Sequence, residues 1–136
     1  MATTTATLTL SSADLTGDAL ALSTTATLTQ AGNTTGLDQT TGVARKTYAS
    51  ITTAANLLAA ADYTDDLAHK VYIKNTSTDA GEYITIEFDG PTDVLNMGRL
   101  YANDWAFFPW DGTTDIDIDT SHANMTVEYA VIYQLS

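Results

Sequence analysis

The sequence predicts an all-β fold, an antiparallel β-sandwich of jelly-roll-like character. Three observations carry that expectation. Thr, stiff at χ1 and suited to pleated surfaces, is abundant, while Lys and Arg together number only 5 in 136 residues. Apolar and polar residues alternate with period two in segment after segment. Those segments are short and lie between Gly, Asp, Asn and Ser clusters at roughly ten-residue spacing, as in sandwiches and barrels.

The elements follow in order. Residues 4–9 and 24–29 share the string TTATLT, in which Leu and Ala alternate with Thr. Ser11-Ser12-Ala13-Asp14 and Thr16-Gly17-Asp18 supply turn chemistry between the copies, so two antiparallel strands are expected. Residues 31–42 hold Gly32, Asn33, Gly36, Asp38 and Gly42 and read as a long loop or arm. Residues 1–47 are therefore expected to form a Thr-rich arm or edge strands, and residues 48–136 the sandwich, in a chain of single-domain size.

Residues 49–63 are ambiguous. Ala54-Ala55-Asn56-Leu57-Leu58-Ala59-Ala60-Ala61 has the best helix propensity in the chain and allows at most one short helix, or a strand and a turn. Lys70 to Lys74 and Glu82 to Phe88 read as strands joined by a polar turn, hence a hairpin. Met97 to Leu100, Trp105 to Trp110, Asp115 to Asp119 and Met125 to Gln134 complete the set.

Composition excludes several functions. The formal charge of -12 opposes binding to nucleic acid, which needs a Lys and Arg footprint, and to anionic membranes. No apolar run approaches the ~18 residues of a membrane-spanning helix. The first residues lack the basic and apolar regions of a secretory signal. Without cysteine, thiolate metal sites and thiol nucleophiles are absent.

Chemistry-bearing residues are few. His69 precedes a strand and His122 lies in a Ser-His-Ala-Asn turn; both are expected as solvent-exposed loop residues without a catalytic role. Asp115, Asp117 and Asp119 alternate with Ile116 and Ile118. They are expected on one solvated strand face, with weak potential to hold Ca²⁺, because the spacing lacks the Gly and distal Glu of an EF-hand loop. No cofactor is expected.

The richest run spans Gly98 to Gly112 and holds Tyr101, Trp105, Phe107, Phe108 and Trp110. Alternation puts Trp105 and Phe107 on one face and Phe108 and Trp110 on the other. A surface sheet needs one apolar face, so the second is expected to be covered, by the opposite sheet, a subunit or a ligand. Trp and Tyr beside Asp and Asn also fit stacking on a sugar.

The patterns Asp62-Tyr63-Thr64, Ala68-His69-Lys70-Val71-Tyr72-Ile73-Lys74-Asn75, Gly98 to Trp110, Asp115-Ile116-Asp117-Ile118 and Val127-Glu128-Tyr129 resemble small virion proteins of tailed bacteriophages, especially marine and cyanobacterial ones. The resemblance covers roughly residues 60–133. It implies a β-sandwich virion component and supplies no catalytic residues. It implies a capsid decoration (cement) protein on the outer capsid surface, made in the host cytoplasm. Its partners would be the major capsid protein and copies of itself, as a homotrimer. A tail, baseplate or fibre component and a carbohydrate-binding module are the alternatives.

Overall fold

The computed structural model describes residues 3–15, 17–89 and 93–135. The chain divides into two compact units, residues 1–38 and 39–136. Each is built differently.

The first unit is a two-stranded antiparallel ribbon of β1 (Thr4–Ser12) and β2 (Leu20–Leu28). The TTATLT copies pair with each other about Ala6↔Ala26, so that Thr5 faces Thr27 and Thr7 faces Thr25. The repeat is thus an internal dyad of the ribbon. Paired residues lie on the same face of an antiparallel ladder. One face accordingly holds Thr5, Thr7, Thr9, Ser23, Thr25 and Thr27, with Thr7 and Thr25 hydroxyls 2.8 Å apart. Beyond β2, the Gln30 N–H donates to Thr35 O and the Leu37 N–H to Leu28 O, at 2.8 and 3.0 Å. The expected long loop is therefore folded back as a tight turn.

The second unit is an antiparallel β-sandwich. Its strands are β3 (Gln39–Thr40), β4 (Ala44–Tyr48), β5 (Ala55–Leu58), β6 (His69–Asn75), β7 (Ile84–Asp89), β8 (Val94–Leu100), β9 (Trp105–Trp110), β10 (Asp115–Thr120) and β11 (Met125–Tyr133). One sheet runs β5-β10-β7-β8; in the other, β11 is flanked by β6 and then β9 on one side, and by β4 and β3 on the other. Numbered from β4, the sheets are first-eighth-third-sixth and second-seventh-fourth-fifth, the strand order of a jelly roll. β3 and β4, expected in the arm, pair with β11 and so belong to the sandwich.

The inner faces interdigitate as period two requires. Tyr48, Val71, Ile73, Phe108, Trp110, Val127 and Val131 from one sheet meet Leu57, Leu58, Ile84, Ile86, Ile116 and Ile118 from the other. Each fully buried aliphatic side chain contributes about 1.5–3 kcal/mol.

One expectation is corrected here. Strands β6 and β7 are not a hairpin: β6 pairs with β9 and β11, and β7 with β8 and β10. Residues 76–83 cross between sheets, because both strands must turn an apolar face to the same core. In the Ala-rich segment the strand-and-turn alternative holds. The segment forms β5 and one 3₁₀ turn at Ala60–Asp62. Its donors are claimed by β10 instead: Asp119 Oδ1 accepts the Ala54 N–H and Asp115 Oδ1 the Ala60 N–H, both at 2.7 Å. Packing of Leu57 and Leu58 into the core overrides helix propensity.

Candidate functional site

The aromatic run divides as its alternation requires. Phe108 and Trp110 are 4% exposed in the core, whereas Trp105 and Phe107 are 52% and 38% exposed on the outer face. The expected cover over that second face is not supplied within the sandwich. Strand β9 is the end strand of its sheet, and Pro109 within it blunts the free edge.

The register shows what surrounds the exposed rings. Trp105 lies opposite Lys74, Phe107 opposite Tyr72, and Pro109 opposite Lys70. The next strand adds Glu128, Ala130 and Ile132 on the same face, and β4 adds Arg45 opposite Glu128. Arg45 and Glu128 form an ion pair of 2.9 Å, and the Tyr72 hydroxyl donates to Glu128 Oε1 at 3.2 Å. The guanidinium hydrogen bond holds the Glu128 carboxyl below its ordinary range. Three of the chain's five cationic side chains, Arg45, Lys70 and Lys74, thus share one outer face with Tyr72, Trp105 and Phe107.

Buried Asn75 positions the entry to β9, a role its sequence context did not disclose. Its side-chain amide donates to Leu100 O at 3.1 Å and to Glu82 O at 3.3 Å, and its backbone pairs with Asn103 and Asp104. Asn103 takes φ 64°, a conformation Asn tolerates, and the Tyr101 N–H donates to Asp104 Oδ2 at 2.9 Å. This turn leaves Tyr101 exposed, with its ring 5.4 Å from that of Tyr83.

The opposite outer face carries carboxylates. Asp115 lies opposite Asp89, and Asp117 opposite Glu87, with Asp119 next along β10. The expectation of a solvated face is corrected for Asp117, which is buried, as is Glu87 opposite it. Asn56 donates to both Asp115 and Asp117, at 3.1 and 3.2 Å. Desolvation raises the Glu87 carboxyl above its ordinary range, with the Asp119 charge and a shared hydrogen bond adding to it. Desolvation likewise raises Asp117. Among the described residues, no three His, Asp or Glu side chains gather in a metal-binding arrangement. Asp115 and Asp119 are spent instead on the backbone donors of residues 54–60.

The histidines separate. His122 is exposed, with Nδ1 2.9 Å from Ser121 Oγ. His69, expected in a solvated loop, is 0% exposed. It is the first residue of β6 and faces the core among Tyr63, Trp110 and Tyr133. Its Nε2 lies 2.9 Å from Thr64 O, and its Nδ1 accepts the Gln134 N–H at 3.3 Å. Both ring nitrogens are committed to backbone, so the ring ties the β5–β6 connection to the C-terminal segment. The single signal for this was its position in the β6 alternation, with Val71, Ile73 and Asn75.

An open cleft of about 530 Å³ lies beside this point, lined by Phe88, Leu95, Pro109, Trp110, Lys70 and Asp111 among others. Thr113 donates to Asp111 through its N–H (3.0 Å) and hydroxyl (2.8 Å), which holds that carboxyl below its ordinary range. The Lys70 ammonium donates to Ala68 O at 3.2 Å, and burial lowers its pKa. The cleft offers a shallow apolar floor with one cation and no nucleophile–base pair among the described residues. No protein-family model, curated protein or solved structure matches the chain.

Proposed function

We propose that the chain is a non-enzymatic virion structural protein of a tailed bacteriophage: a capsid decoration (cement) protein that binds the outer capsid surface and stabilises the shell. One observation carries the reading. The outer face of the β4-β11-β6-β9 sheet leaves Trp105 and Phe107 exposed beside half-buried Tyr72, with Lys74 and Lys70 on the adjoining strand, on a chain that is otherwise strongly acidic. Large aromatic side chains dominate interface energetics, at about 1.5–3 kcal/mol for each Trp or Phe fully buried. Lys70 and Lys74 would suit carboxylates on a partner surface, since Arg45 is already paired with Glu128. Bound copies stabilise the folded shell by mass action.

The jelly roll supports this reading by analogy, since capsid and lectin domains use that architecture. So does the resemblance to small phage virion proteins at residues 60–133.

The test adds the purified chain to shells that lack it. Wild type is expected to co-sediment with the shells and raise their melting temperature. Trp105→Ala with Phe107→Ala is expected to stay folded and remain in the supernatant. Wild type that ignores shells overturns the capsid reading. Capture by isolated tails would place the chain there instead, and glycan-dependent capture abolished by the same substitutions would make it a carbohydrate-binding module.

A further inference from the structure

The ribbon of β1 and β2 has two dissimilar faces. The other face holds four leucines, Leu8, Leu10, Leu20 and Leu22, with Ala6, Ala26, Thr4, Ser12, Thr24 and the buried Leu28; Leu10 pairs directly with Leu22. The four leucines are 37% to 45% exposed. A two-stranded ribbon alone is at best marginally stable in water. The four leucines lie on the neighbouring rungs Leu8–Thr24, Leu10–Leu22 and Ser12–Leu20, an exposed apolar cluster about 13 Å long at one end of the ribbon.

We infer that this face is a self-association surface, covered by the same face of a second copy's ribbon. Charge identifies the occupant. Strands β1 and β2 contain no charged residue, and residues 1–38 hold Asp14, Asp18 and Asp38 as their only ionisable side chains. All five Lys and Arg and the other acidic residues lie in 39–136. Two copies of so acidic a chain repel each other over much of the rest of their surface, whereas at the ribbon they meet without burying an unpaired charge. The occupant must be apolar, uncharged and matched in length, and the ribbon meets all three conditions.

The inference rests on the reading of the chain as an assembly component, and names one partner for it. Its test uses the full chain with no shells present, so the two ideas fail separately. Sedimentation equilibrium over a concentration series is expected to show self-association of wild type. Leu10→Asp with Leu22→Asp is expected to weaken it roughly thirtyfold or more, the loss a central interface residue carries. Leu10→Thr with Leu22→Thr keeps β propensity and must also weaken it, which guards against simple loss of the ribbon. Thr7→Ser on the opposite face must leave it intact. Wild type that stays monomeric at every concentration overturns the inference. So does an oligomer that both Leu10 and Leu22 double variants leave unchanged, or one that Thr7→Ser disrupts equally.

Discussion

Replacing Asp115 with Ala separates a structural carboxylate from a metal ligand. Asp115 accepts the Ala60 N–H at 2.7 Å and the Asn56 side-chain amide at 3.1 Å. Hydrogen bonds to a charged group contribute about 1.5–3 kcal/mol each. Against that stands relief of repulsion from Asp117 and from Asp89 across the ladder. The position is half-exposed, so solvent screening discounts both terms. The net expected loss is about 1–3 kcal/mol, a fall in Tm of roughly 5–15 °C for a domain of this size. The assay is thermal unfolding followed by tryptophan fluorescence, since Trp105 and Trp110 both lie in the sandwich. Asp117→Asn, two residues along the same face, is expected to shift Tm upward. A Tm for Asp115→Ala at or above wild type would refute the reasoning. So would a wild-type Tm that rises with Ca²⁺ and loses that rise in the variant.

Three other outcomes follow from the same packing. Glu87 is held above its ordinary range, so the folded chain binds a proton more tightly than the unfolded chain. Its ionisation at neutral pH opposes folding, and that penalty fades as pH falls through its folded-state pKa. Glu87→Gln is therefore expected to raise Tm at pH 7, the gain shrinking toward about pH 4; a gain independent of pH would contradict this. His69→Ala opens a buried cavity and strands Thr64 O and the Gln134 N–H, an expected loss of about 2–5 kcal/mol by urea unfolding, and a loss below 1 kcal/mol contradicts the tie. The Tyr48 hydroxyl is buried with no hydrogen-bond partner among the described residues, and desolvation pushes its pKa far up. Tyr48→Phe is accordingly expected to leave Tm unchanged or raise it, and a drop would mean that the hydroxyl has a partner.

The strands were legible where alternation alone decides them. β1, β2, β6, β9, β10 and β11 lie close to where period two puts them, and Trp105 and Phe107 separate from Phe108 and Trp110 as alternation requires. Pairing was less legible. The β6–β7 turn has hairpin chemistry, yet adjacency in sequence cannot say whether a polar turn closes a ladder or crosses between sheets. Propensity left residues 54–61 open between a short helix and a strand with a turn, because the carboxylates that capture those backbone donors lie some 60 residues away. His69 and Asp117 escaped for a related reason. A polar residue in an alternating strand reads as outward or as terminal, and only its long-range partners, Gln134 and Asn56, make its burial affordable. The outer face that Trp105 shares with Lys74, Lys70 and Arg45 was equally hidden, since these residues reach one face only through the β4-β11-β6-β9 ladder.

The most direct test of the virion reading is three-dimensional reconstruction of purified particles carrying labelled copies of the chain. Label is expected on the outer capsid surface, with the sheet of Trp105 and Phe107 against the shell. Label confined to the tail, or absent from the particle altogether, would contradict it.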